Sequence, residues 1–138
     1  MTDPALTVGT VLTDDLRAWL TGKLRFPVLA VLSTSGAPVQ SVMWFDIDPD
    51  HVDTILMNTR VERAKARQLR RDPRVSLCFE DELRWVALQG RVELDDDSER
   101  ALADIKALAR RYGSDPAQFD GQQRVTMRMR VEKVIRHD

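Results

Sequence analysis

The chain is poor in the residues from which most catalytic constellations are built. It carries one cysteine, two histidines and one tyrosine among 138 residues. A single cysteine excludes a disulfide framework, and the apolar run around Cys78 (Val75, Leu77, Phe79) predicts a buried thiol. His51 falls in a turn and His137 beside the C-terminus. Neither has partners at metal-ligand spacing, so no zinc site is expected, and neither is placed for a Ser-His-Asp or Cys-His triad. No glycine-rich phosphate loop or dinucleotide fingerprint occurs. A net charge of −1 lacks the broadly basic face that general nucleic-acid binding needs. No apolar run approaches a membrane span, and the first ten residues lack the pattern of a signal peptide. The expectation is a soluble, cytoplasmic protein. The acidic groups Glu80-Asp81-Glu82 and Asp95-Asp96-Asp97 read as turn and helix-start residues, not as a catalytic carboxylate pair.

The length corresponds to one domain, residues 1–138, able to bury roughly 68% of its unfolded surface. A first helix is expected from Thr13 as N-cap, with Leu16, Trp19 and Leu20 on its apolar face. Phe26 to Ser33 reads as a buried strand. A second strand runs from Pro38 through Phe45 or Ile47, and a third covers Val52 to Met57. Arg74–Glu80 and Arg84–Leu94 form a hairpin about Asp81-Glu82, the second strand alternating Val86, Leu88, Val92 and Leu94 against Trp85, Gln89, Arg91 and Glu93. Asp95-Asp96-Asp97-Ser98 starts a helix that runs to about Tyr112 and ends at Gly113. The last strand, Arg124 to about Arg136, places Met127 and Met129 in the core and loses its alternation near Lys133-Val134, as at a bulge. Six short strands and two or three helices predict a mainly β fold, a small closed or split β-barrel with helices packed outside.

The richest stretch is residues 58–77, where seven basic side chains fall between Arg60 and Arg74. A strand ending at Asn58-Thr59 runs into a helix whose first turn carries Arg63 and Lys65. Free amides, the helix dipole and two cations converge there as a cradle for phosphate. At helical spacing Arg60, Arg63, Arg67, Arg70 and Arg74 share one stripe, which reads as a mostly solvated face. Lys65 breaks that pattern, since it lies on the inward side with Val61, Gln68 and Leu69 and requires an anionic partner. An anion cradle with few acid–base groups suits a cofactor that carries the reaction itself.

The segments GAPVQSVMWFDID, NTRVERAKARQLRRDPRVSL and RWVALQGRVEL, in this order and at this spacing, resemble the pyridoxamine-phosphate-oxidase-like split-barrel family. They are most similar to its coenzyme F420 (deazaflavin)-dependent reductase branch, over about half the chain, from Leu24 to Leu94. The resemblance implies a six-stranded split β-barrel and a homodimer with the cofactor at the subunit interface. It implies that Arg63 and Lys65 bind the cofactor phosphate with Gln68 close by, and that Asn58 and Thr59 line the ring or the start of its tail. Ser41, Val42, Met43 and Trp44 would present strand backbone along the ring, although Val42 stands where many relatives carry proline.

Asn58 reads equally as a strand-terminating turn residue, Trp44 and Trp85 as packing residues rather than substrate walls, and Tyr112 as a packing residue. The implied activity is hydride transfer between reduced F420 and an unsaturated or quinone-like small molecule. No side chain is catalytic in its own right and no metal is required. The alternatives are an FMN-dependent oxidase or reductase of the same fold, and a non-catalytic carrier of a flavin, deazaflavin or haem-like ligand. For F420, Arg60, Arg67 and Arg70 would extend a positive track along the anionic tail.

Overall fold

The structure, a computed structural model, describes residues 11–137; residues 1–10, on which the signal-peptide reading falls, and residue 138 lie outside the described residues. Seven antiparallel strands form one sheet: β1 Val28–Leu32, β2 Pro38–Val42, β3 Asp46–Ile47, β4 Thr54–Arg60, β5 Arg74–Asp81, β6 Arg84–Asp95 and β7 Arg124–His137. Among the described residues three α-helices accompany them, α1 Asp14–Thr21, α2 Ala64–Arg71 and α3 Ser98–Arg111, with a 3-10 turn at Pro116–Phe119.

The mainly β, split-barrel expectation holds, but there are seven strands rather than six. What reads as one strand from Pro38 onward breaks at Met43–Phe45 into β2, which pairs with β1, and β3, which pairs with β4. The sheet order is β2-β1-β5-β6-β7-β4-β3, so these consecutive strands occupy opposite edges. Three linking residues cannot reach across more than about 14 Å. The two edges therefore lie close together, and the curled sheet is a barrel split between β2 and β3. The break has physical causes. Met43 N–H donates to Pro27 O (2.9 Å), Phe45 N–H to the Tyr112 hydroxyl (3.3 Å), and Arg111 Nε to Phe45 O (3.0 Å). The Met43 bond extends the β1–β2 register by one residue, and the other two take the polar groups of Phe45 away from either ladder.

The barrel core is a single cluster in which Leu29, Phe45, Ile55, Met57, Leu77, Leu88, Met127 and Met129 are fully buried. Helix α1 closes one side with Leu16 and Leu20, and Thr13 caps it by accepting the Leu16 N–H (3.2 Å). Asp97 caps α3, and Gly113 takes positive φ (70°) after its end, as its αL stop requires. The irregularity in β7 lies at Glu132: Gln89 pairs with Lys133 and Gly90 with Val131, leaving one residue extra. Gly90 is needed there, because a Cβ would sit 2.0 Å from Arg130 O.

Two expectations are corrected. Strand β4 continues through Asn58, Thr59 and Arg60, which pair with Thr126, Val125 and Arg124, so Asn58 does not terminate it. Cys78 is exposed rather than buried. Strand β5 has one face in the core (Val75, Leu77, Phe79) and Cys78 lies on the other, a two-sidedness that a run of apolar neighbours conceals.

Candidate functional site

A groove of about 620 Å³ opens where β2, the β2–β3 linker, the end of β4 and the start of α2 converge. All nine site residues named from the sequence line it: Ser41, Val42, Met43, Trp44, Asn58, Thr59, Arg63, Lys65 and Gln68. Val31, Met43, Ile105 and Leu108 give it an apolar floor, while Arg60, Arg63, Lys65 and Arg124 line its polar side.

Helix α2 starts after a short turn, with Arg63 as an N-cap whose side chain makes no capping bond and is exposed. The Arg63 N–H donates to Arg60 O and the Ala66 N–H to Arg63 O (both 3.1 Å), which leaves the Ala64 and Lys65 amides without an acceptor among the described residues, beside the cations. Lys65 is half-buried, and among the described residues its Nζ meets only Met43 Sδ, at 3.4 Å. Burial first, then Arg63 and Arg124, lower its pKa below the usual lysine value. A thioether is a weak acceptor and compensates little of this charge. Gln68 lines the same groove, and its buried Oε1 has no hydrogen-bond donor among the described residues. An anion flanked by hydrogen-bonding groups matches this donor and acceptor set, so the residues fit a phosphate-bearing, ring-containing cofactor.

The neighbouring side chains are held in place. Ser41 Oγ also approaches Met43 Sδ (3.7 Å). Trp44 stacks on Tyr112 at 5.2 Å and meets Phe119 edge-on at 6.2 Å, so it is both a packing residue and a wall of the groove. The Tyr112 hydroxyl donates to Arg25 O (2.5 Å) while accepting from Phe45 N–H, which commits it to structure. Trp85 lies elsewhere, on the outer sheet face against His137. Strand β2 is an edge strand, so one row of its backbone groups stays outside the ladder and can face a ring.

The structure brings in residues that the sequence reading placed otherwise or overlooked. Arg60 is no part of a helical stripe: it ends β4, and its Nε lies 2.7 Å from Glu62 Oε1 without hydrogen-bond alignment. Arg74 opens β5 and pairs with Asp72. Arg67 donates to Glu62 O (2.6 Å) and Arg70 to both oxygens of Asp96 (2.5 and 3.2 Å), so neither extends a positive track in the groove. Arg124, Phe119, Ile105 and Leu108 were missed. No local pattern marks Arg124; only the register of β7 against β4 brings it here.

An antiparallel split barrel with an edge strand and a cation-flanked helix start facing one groove defines a class of β-barrel. The profile of the pyridoxamine 5'-phosphate oxidase family matches residues 12–138, and the chain belongs to that family. No curated protein matches the sequence. Among solved structures, it is similar to a conserved hypothetical protein of Mycobacterium tuberculosis (26% identity, TM-score 0.76, covering 93% of this chain and 86% of that one). It is also similar to a protein described as an F420 reductase (22% identity, TM-score 0.73, covering 86% and 94%). A Listeria innocua protein bearing the family's oxidase name matches at 18% identity and TM-score 0.68, covering 89% and 95%. The last two likenesses establish the fold alone. Among the described residues, no helix is long and apolar enough to cross a membrane, and no group of three or more His, Cys, Asp or Glu side chains is placed to hold a metal.

Proposed function

We propose that this protein is a cytoplasmic F420-dependent oxidoreductase acting between reduced deazaflavin and an unsaturated or quinone-like small molecule. The observation that carries this reading is Lys65, a half-buried cation with no carboxylate partner among the described residues, beside Arg63 and Gln68. When bound, the deazaflavin supplies the hydride, and the protein supplies orientation and a dry surface. Arg63 and Lys65 would hold the phosphate, Gln68 would donate or accept beside it, and Thr59 would line the tail. The edge of β2 from Ser41 and Val42, continued by Met43 and Trp44, would run along the ring. The apolar floor keeps water from the ring face.

The partner in this reading is a second copy of the chain. Val42, Val28, Cys78, Ala87 and Ile135 stand in register across five strands, on the face opposite the core. This apolar row, with Val42 64% exposed, runs up to the groove and would be covered in a homodimer. The similarity to a protein described as an F420 reductase supports the choice of cofactor.

Side-by-side fluorescence titration of the purified protein with F420 and FMN, at low and moderate salt, tests this reading. Tighter binding of F420 is expected. Tighter binding of FMN, or purification as a yellow FMN-loaded protein, moves the assignment to an FMN enzyme. F420 binding without turnover of any acceptor leaves a carrier.

A further inference from the structure

Across the β4–β7 ladder, Arg60 stands directly opposite Arg124. Like charges in that relation repel. Arg63 and Lys65 add two cations to the same groove, against a single nearby carboxylate, Glu62, which sits beside Arg60. A side chain this long could swing out to solvent, yet Arg124 is held in. Its Nε donates to Asn58 Oδ1 (2.7 Å) and its Nη1 to Gln122 Oε1 (2.7 Å), and the guanidinium lies 5.2 Å from the Phe119 ring centroid. Asn58 is itself anchored, its Nδ2 donating to Ala101 O on α3 (2.9 Å), which aims Oδ1 at the arginine. Burial, then Arg60 and Arg63, bring Arg124 down to about 10, with Glu62 opposing.

All three partners of Arg124 are neutral, so nothing in contact with it balances its charge. Its Nη2 has no hydrogen-bond partner among the described residues. A half-buried cation seated this firmly beside other cations is costly unless an anion joins them.

We propose that Arg124 is a ligand-binding residue of this groove, positioned by Asn58, and that the groove takes a ligand whose anionic part carries at least two negative charges. A phosphomonoester, or a phosphodiester followed by a carboxylate, has that chemistry. The proposal rests on the reading of the groove as an anion-receiving cofactor site, and it reassigns Asn58 from contacting the ligand to holding the residue that does.

Arg124→Gln keeps a donor for Asn58 Oδ1 and deletes the charge. Calorimetric titration of the full chain with inorganic pyrophosphate, F420 and FMN at two salt concentrations reads the effect. Dissociation constants for pyrophosphate and for whichever cofactor binds rise about 10- to 100-fold in Arg124→Gln, and their salt dependence flattens. The ligand-free variant melts no lower than wild type, because a repelling cation has gone; an arginine with a purely structural role would lower it. Asn58→Ala weakens pyrophosphate binding in the wild-type background and adds little in the Arg124→Gln background. Unchanged pyrophosphate and cofactor affinity in Arg124→Gln, or full additivity of the two substitutions, overturns the proposal. Arg124-dependent binding of pyrophosphate with no binding of F420 or FMN supports it, while removing the cofactor reading.

Discussion

Replacing Lys65 by methionine should have two opposite effects. A charge-assisted contact to phosphate is worth about 1.5–3 kcal/mol, so the dissociation constant for F420 should rise roughly 10- to 100-fold. Without ligand, the same substitution should leave the protein as stable as before or more so. Lys65 is half-buried near Arg63 and Arg124, and its pKa in the folded protein lies below 10.5. The unfolded chain therefore binds more protons between the lowered value and 10.5, and stability rises with pH across that window. Below the window, at pH 7, the full penalty of the buried charge is present, and methionine removes it while packing against Met43. Fluorescence titration and calorimetric melting at pH 7 and pH 10 measure both effects, and the stability gap between variant and wild type should narrow at pH 10. Arg70→Ala is the control: its exposed pair with Asp96 is worth about 0.2–1 kcal/mol, and it lies outside the groove. Equal small changes in affinity at Lys65 and Arg70, or a ligand-free Lys65→Met variant that melts well below wild type, would refute the reasoning.

Light scattering should give about twice the 15.8 kDa of one chain, and Ile135→Asp, on the outer apolar row, should shift the protein toward monomer; a monomer with full cofactor affinity would remove the interface from the proposed site. Gly90→Ala should destabilise the protein by about 1–3 kcal/mol or more in urea unfolding, because the new methyl meets backbone at 2.0 Å; a neutral result would mean that the bulge yields. Hydrogen bonds from Arg100, the Asp97 N–H and Arg128 hold Asp95 at about 2. Its contribution is therefore present above the ordinary value of 3.8 and lost as pH falls through about 2, and Asp95→Asn should flatten the acid limb of the stability curve between those values.

Much of this molecule is local in origin. The alternation of Val86, Leu88 and Val92, the Thr13 cap and the Gly113 stop are set by side chains within a few residues of where they act, and the structure has them where the pattern places them. That Arg63 and Lys65 stand out was legible for the same reason: an inward lysine at the start of a helix conflicts with its own periodicity, and both residues line the groove. The strand break at Met43–Phe45 was not legible, because Tyr112 and Arg111, more than 60 residues away, take the linker's backbone groups. Arg60 and Arg67 share a face under helical periodicity, yet one ends a strand and the other lies on a helix. Cys78 sits among apolar neighbours and still faces outward, since a strand sends alternate residues to opposite sides.

The sequence by itself determined the kind of fold, the cation-rich start of one helix and the inward-facing lysine on it, because periodicity, capping and charge act over short stretches of chain. Only the tertiary structure decided that Arg124 joins that lysine, that Asn58 holds Arg124, and that Arg67 and Arg70 turn away to Glu62 and Asp96. Those relations depend on the register of β7 against β4 and on where α3 packs, and register is a property of the assembled sheet, not of any segment within it.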